Sequence, residues 1–465
     1  MLFSSMIFLW LFLPVVFIVS RWMGIRQQNI FLLAASLFFY AWGEPKYVLL
    51  MLLSIFLNWS CGMLLERFPS GRRFILWTGI VLNLSLLGYY KYLGLFCRTL
   101  NHLLPGEPLE IPGIALPIGI SFFTFQALSY VIDVYRGECK VQRNILSLAL
   151  YISFFPQLIA GPIVKYKDVN AQIEERDVTV EKLAAGIRRF IYGLAKKVLI
   201  SNVLAQSVDM IFALPGEEIT GILAWVAAIM YTFQIYYDFS GYSDMAIGLG
   251  KMFGFTFHEN FNYPYMSLSV REFWQRWHIS LSTWFREYVY IPLGGNRKGT
   301  VRTYINLGVV FLLTGFWHGA SYNFIFWGLY HGMFSILERL GLSRFLERHR
   351  VVAFAYTFLA VHFGWILFRI ESMRQILNLG IRILLPWRYT ASHYSVWEFV
   401  NLHTLFVLAC AVLGMGIVQK YLLKKNRGRT WRFSLPEMVY CMGLLFFCIC
   451  ALAGNTYNPF IYFRF

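Results

Sequence analysis

Apolar runs of around 20 residues recur along the whole chain, and no other feature narrows its fold so far. A helix rises about 1.5 Å per residue, so each run matches the roughly 30 Å hydrocarbon core of a bilayer. Peptide groups left unpaired in lipid are costly, so only helices and closed barrels span membranes. A barrel would show alternating segments of about 10 residues, and none dominate. Of the 465 residues, 58% are apolar and 14% charged, against about 25% charged in a soluble domain. The chain therefore reads as an all-α polytopic membrane protein. The runs fall at 2–20, 29–43, 47–65, 74–95, 114–132, 145–163, 221–236, 303–318, 321–338, 352–369, 402–422 and 436–453, giving about 10–12 crossings. Residues 165–210 and 251–302 are too polar to cross directly. Within the first of these, Ile187–Phe190 and Ala195–Val198 read as parts of an amphipathic interfacial helix.

The formal net charge is +17, which in a soluble protein would suggest nucleic acid. Here the basic residues lie mostly between apolar runs, where they set topology and meet anionic headgroups, so the partner is the bilayer and not nucleic acid. Connections one, three and five carry Arg21, Arg26, Arg67, Arg72, Arg73, Arg136, Lys140 and Arg143. Connections two and four carry only Lys46 and Arg98. Positive residues favour the cytoplasmic side, which puts the N-terminus outside. Lys424, Lys425, Arg427, Arg429 and Arg432 precede the last run and place the C-terminal tail outside as well. Residues 2–20 lack a basic leader and a small-residue cleavage site, and read as a retained first helix. The seven cysteines are scattered without a C-x-x-C pair, so neither a metal knuckle nor a disulfide framework is indicated. No internal repeat is visible, which counts against a transporter built from paired halves. One membrane domain, 1–465, is expected.

Ionisable groups at membrane depth are functional candidates by default. Pro117–Gln126, continuing to Arg136, carries Ser121, Thr124, Gln126 and Asp133 in an apolar setting. Asp238, Ser240, Ser243 and Asp244 follow the run that ends near 236; they line a cavity, pair with arginines, or sit at a solvated helix end. In Arg271–Lys298, helical spacing places Arg271, Trp274, Gln275, His278 and Ser282 on one face. That face is either an interfacial aromatic belt or a grip for an anionic ligand. His318 stands in the apolar stretch Thr314–Asn323. Taken alone it would read as a buried histidine bonded to backbone. His331, 13 residues on, lies about 20 Å away on a straight helix, so His278 and His318 form the better pair. No metal-ligand spacing occurs.

Together these clusters resemble the membrane-bound O-acyltransferase family, and within it the bacterial branch that O-acetylates alginate. Five elements in order carry the resemblance: Pro117–Arg136, Phe154–Ile163, Asp238–Asp244, Arg271–Arg297 and Phe316–Gly319. It is clearest over 110–335, with a further likeness in Asn458–Phe465. It implies helices around a central tunnel, with the catalytic region at 110–335 and an extracytoplasmic tail at 454–465. It further implies that His318 is the catalytic residue and His278 its polar companion. An imidazole can take the proton of an attacking hydroxyl, and His278 is expected to donate to the oxyanion. Arg271, Arg276 and Arg286 are expected to hold the phosphates of acetyl-CoA, the acyl donor, with no permanently bound cofactor and no metal. Composition makes the final aromatic residues an interfacial anchor; the resemblance makes Tyr462 an acyl relay. The implied function is transfer of acetyl from a cytoplasmic donor across the bacterial inner membrane to an exported, alginate-like polysaccharide. A periplasmic or membrane-anchored acetyltransferase is the expected partner. Peptidoglycan or cellulose acetylation is the alternative destination and teichoic-acid D-alanylation a weaker one. A non-catalytic transporter or scaffold for a lipid-linked sugar is the alternative of another class.

Overall fold

The computed structural model describes residues 1–106, 108–418, 434–454 and 457–461. Among these residues there is no strand; α-helices are joined by loops and by short 3₁₀ and π turns. Five helical stretches are long and apolar enough to cross a bilayer: Pro45–Arg67, Pro69–Leu103, Gly221–Met252, Arg350–Arg369 and Leu435–Gly454. Phe8–Arg21 and Leu402–Gly414 are apolar but shorter. The chain is thus an all-α, polytopic membrane protein. Other expected crossings, such as Ile120–Arg136 and Tyr322–Leu337, are helices of 17 and 16 residues. The run 145–163 is not one helix. It stops at Ser153, turns at Phe154 (ψ 115°), and resumes for a single turn, Phe155–Leu158. Pro156 sits at the start of that turn, where a missing N–H does no harm.

The sequence predicts one membrane domain; the backbone divides into two compact units, each made of two stretches. The first comprises Met1–Phe190 and Ser243–Glu259. Phe8, Phe12, Phe39 and Phe155 pack with ring centroids 5.3–6.2 Å apart. The helix Ile120–Arg136 is buried along most of its length. It starts at Gly119, whose φ is +76° and where a Cβ would stand 2.8 Å from the Leu158 carbonyl oxygen. Only glycine meets both demands. The Pro117 and Phe154 motifs are therefore one packed structure.

Gly221–Met252 runs 32 residues, well past the point near 236 where its apolar run ends. Residues 230–250 of it are all buried. The helix continues because its carboxylates find cations. In the first unit, Arg189 Nη2 lies 2.6 Å from Asp244 Oδ1 and 2.5 Å from Glu259 Oε2. Arg189, on the helix Val180–Ala195, therefore reaches protein carboxylates. A Cβ on Gly248 would be 2.7 Å from the Gly186 carbonyl oxygen, so two backbones touch there.

The second unit comprises Ile191–Tyr242 and Asn260–Phe465. Its helices Thr300–His318 and Tyr322–Leu337 meet backbone to backbone. A Cβ on Gly315 would lie 2.3 Å from the Phe324 carbonyl oxygen, and one on Gly328 2.3 Å from that of Phe311. Small residues allow this approach, and it fixes where the first helix ends, at His318.

Candidate active site

The helix face expected over Arg271–Ser282 is broken. Val270–Arg276 and Ile279–Phe285 are separate helices. Between them His278 takes φ 45°, ψ 53°, the left-handed region. Trp274 is buried while Gln275 is exposed, so these two do not share an environment. A left-handed residue other than glycine costs about 1–2 kcal/mol, and here neighbouring backbone holds it. The Ile279 N–H donates to the Asn260 carbonyl (3.0 Å), the Asn262 N–H to the Arg276 carbonyl (2.9 Å), and the Ser282 N–H to the His278 carbonyl (3.1 Å). Glu338, buried on the far side, accepts from the N–H groups of Val270 (2.5 Å) and Arg271 (3.0 Å). It caps donors that the start of the 270–276 helix leaves open.

His278 is 1% exposed and His318 5%. Their ring centroids are 6.5 Å apart. That is too far for a direct hydrogen bond between the rings, which needs about 3 Å, and close enough for one reacting group to touch both. The His318 ring is edged by Trp317 (5.0 Å), Trp327 (4.9 Å) and Phe368 (5.1 Å). His278 is edged by Phe239 at 4.7 Å and Trp317 at 5.7 Å. His331 stands on the other side of Trp327, 5.1 Å from that ring.

The tautomer of His278 follows from Asn260. The Ser280 N–H and Oγ both donate to Asn260 Oδ1 (3.1 and 2.9 Å). A backbone N–H only donates, so the atom facing it is the amide oxygen. His278 Nδ1 lies 3.3 Å from that oxygen and 3.4 Å from Ser280 Oγ, whose proton is already committed. Both neighbours therefore accept, and Nδ1 carries the proton. Nε2 then holds the lone pair. Burial pushes the ring's pKa down to about 3, which keeps it neutral near pH 7. A ring in this state accepts at Nε2; to donate to an oxyanion, as expected from the sequence, it must first gain a proton there.

Arg271 is exposed and lines a cavity of about 460 Å³ with Ser269, Glu272, Glu347 and Arg350; neither Arg276 nor Arg286 is among its lining residues. Arg276 pairs with Glu272 at 2.8 Å and donates to the Asn262 carbonyl at 3.2 Å. Arg286, also exposed, opens the π turn Arg286–Tyr290. Tyr462 lies outside the described residues. Sequence reading did not single out Asn260 or Glu338. Asn260 falls in none of the motifs read from the sequence, and Glu338 is remote in sequence from the helix it caps.

Comparison with known proteins identifies the family. A family model described as the membrane-bound O-acyltransferase family matches residues 138–370. The chain is 40% identical to the probable alginate O-acetylase AlgI of Pseudomonas putida, over the full length of both. It is 46% identical to that of Pseudomonas aeruginosa, over 87% of this chain and 77% of the other. The peptidoglycan O-acetyltransferase of Helicobacter pylori is 36% identical, over 82% and 79%.

Proposed function

The chain belongs to the membrane-bound O-acyltransferase family, and from that premise we propose that it takes acetyl from cytoplasmic acetyl-CoA and passes it across the inner membrane for O-acetylation of an exported, alginate-like polysaccharide. The observation that carries the reading is the convergence of His278 and His318 from separate segments to 6.5 Å. Similarity to alginate O-acetylases over the whole chain supports the choice of group and acceptor.

In this reading His318 is the general base. It takes the proton of the acceptor hydroxyl as that oxygen attacks the thioester carbonyl. The tetrahedral intermediate collapses with loss of the CoA thiolate, which recovers the proton, leaving an ester on the acceptor. The attacking hydroxyl has one proton, and it goes to His318; neutral His278 stands beside it as a polar companion with its lone pair on Nε2. Tyr462 is the first acceptor and relays acetyl to a periplasmic or membrane-anchored transferase. Arg271, in its cavity, is the arginine best placed to meet the donor's phosphates.

The test supplies radiolabelled acetyl-CoA to inverted membrane vesicles. Wild type should label the protein and then the polysaccharide. His318→Ala should lose about 10²–10⁴-fold in rate, the usual worth of a general base. Wild-type transfer by His318→Ala would overturn the assignment, and unchanged product acetylation by Tyr462→Phe would remove the relay. Similarity to a peptidoglycan O-acetyltransferase favours peptidoglycan as the second acceptor. The label's location in cell-wall or exopolysaccharide fractions separates the two.

A further inference from the structure

Lys197 and Asp238 form an ion pair whose side chains are each 2% exposed. Such a pair is tolerable only when further hydrogen bonds complete both charges. Ser201 Oγ donates to Asp238 Oδ1 at 3.4 Å, and one further stretch of chain supplies the rest. Lys197 Nζ donates to the Pro459 carbonyl oxygen as well as to Asp238 Oδ1. Asp238 Oδ2 accepts from the Ile461 N–H at 2.8 Å. Phe460, between them, stacks on Tyr242 at 4.6 Å and lies under the ammonium at 5.8 Å. Upstream, Asn202 Nδ2 donates to Asn458 Oδ1 at 3.1 Å and Tyr457 Oη donates to Asp209 Oδ2 at 2.6 Å. Arg369 holds the other oxygen of Asp209 at 2.9 Å.

We propose that Lys197 and Asp238, assisted by Asn202 and Asp209, are a dock for the segment Tyr457–Ile461, and that they fix its register by gripping main-chain atoms. The two central bonds go to a carbonyl and an N–H two residues apart. A shift of the segment by one residue would withdraw the Phe460 ring from Tyr242, and a shift by two would offer Asp238 the Pro459 nitrogen, which has no proton. The consequence for chemistry rests on the relay reading: Tyr462 follows Ile461 directly, so the dock is a positioning device for the acceptor hydroxyl. Lys197 and Asp238 touch no reacting atom in this account.

The experiment reads docking apart from activity. A variant carrying Asn202→Cys and Asn458→Cys is oxidised in native membranes, and the cross-linked peptide pair is quantified by mass spectrometry. The cross-link should form, and Ile461→Pro should reduce it roughly tenfold or more, because it deletes the N–H given to a buried carboxylate. Ile461→Val, which keeps that N–H, should restore it. Ile461→Pro leaves the buried pair itself in place; Asp238→Asn and Lys197→Met, which alter it, should lower the cross-link too. Absence of the cross-link in the parent variant, or a yield unmoved by Ile461→Pro, overturns the dock. Acetyl transfer should fall in the same order as the cross-link. Should Tyr462→Phe retain full acetylation while the cross-link behaves as described, the relay falls and the dock stands.

Discussion

Trp277 and His278 turn the chain between two seven-residue helices, and that turn decides the chemistry of the imidazole. His278 is held neutral with its lone pair on Nε2, because Asn260 takes Nδ1–H and burial opposes a second proton. An unfolded histidine has a pKa near 6.5. The folded value is lower, so the unfolded chain binds the extra proton and stability falls as pH drops from about 6.5 toward about 3, with no effect above. Thermal unfolding in detergent should show a lower midpoint at pH 5 than at pH 7.5, a loss of up to about 2 kcal/mol from this group. His278→Gln should narrow that difference. Acetyl transfer should show no inflection from His278 between pH 5 and 8. Asn260→Asp, which places a carboxylate on Nδ1, should bring one into that range by raising the ring's pKa. His278 and His318 were legible from motif context. Asn260 was not, because a tautomer-fixing amide has no spacing rule. The shared face of Arg271, Trp274, Gln275, His278 and Ser282 was misread because helical periodicity presumes an unbroken helix, and this one breaks at Trp277.

Where helices meet, the decisive residues are small. The crossing of Thr300–His318 with Tyr322–Leu337 has glycine on both sides, and the atom facing each is a backbone oxygen that cannot swing aside. Gly315→Ala should force the helices apart at a cost of about 1–3 kcal/mol and displace His318. Gly308→Ala, on the same helix with open space around it, should leave thermal stability and transfer near wild type. Glu338→Ala should expose the opposite weakness. It strips the partner from the buried N–H of Val270, worth about 1–3 kcal/mol, and from the part-buried N–H of Arg271. A lowered unfolding midpoint with lowered transfer is the expected result. Most helices could be placed from hydropathy. The exceptions are instructive: Gly221–Met252 outran its apolar run because Asp238 and Asp244 are paired inside, and 145–163 fell short of one because Phe154 turns the chain.

Across the whole molecule, charge carries the information on sidedness. Eight basic residues against two over the first five connections predict an extracytoplasmic N-terminus. Alkaline phosphatase fused after residue 106 should be active, and fused after residue 140 inactive; the reverse pattern would invert the topology. The family was readable because five motifs kept their order along the chain. The division into two compact units was not, since each unit is assembled from two stretches with part of the other unit between them. Contacts of that kind leave no local pattern.

The charges buried along Gly221–Met252 also bear on how the protein is made. A carboxylate at the centre of a lone helix opposes entry into lipid by about 2.5–3.5 kcal/mol, and this helix carries Asp238 deep within the folded protein. Its cation, Lys197, lies earlier in the sequence and so leaves the ribosome first. The nascent chain therefore has the counter-charge waiting when the aspartate reaches the translocon.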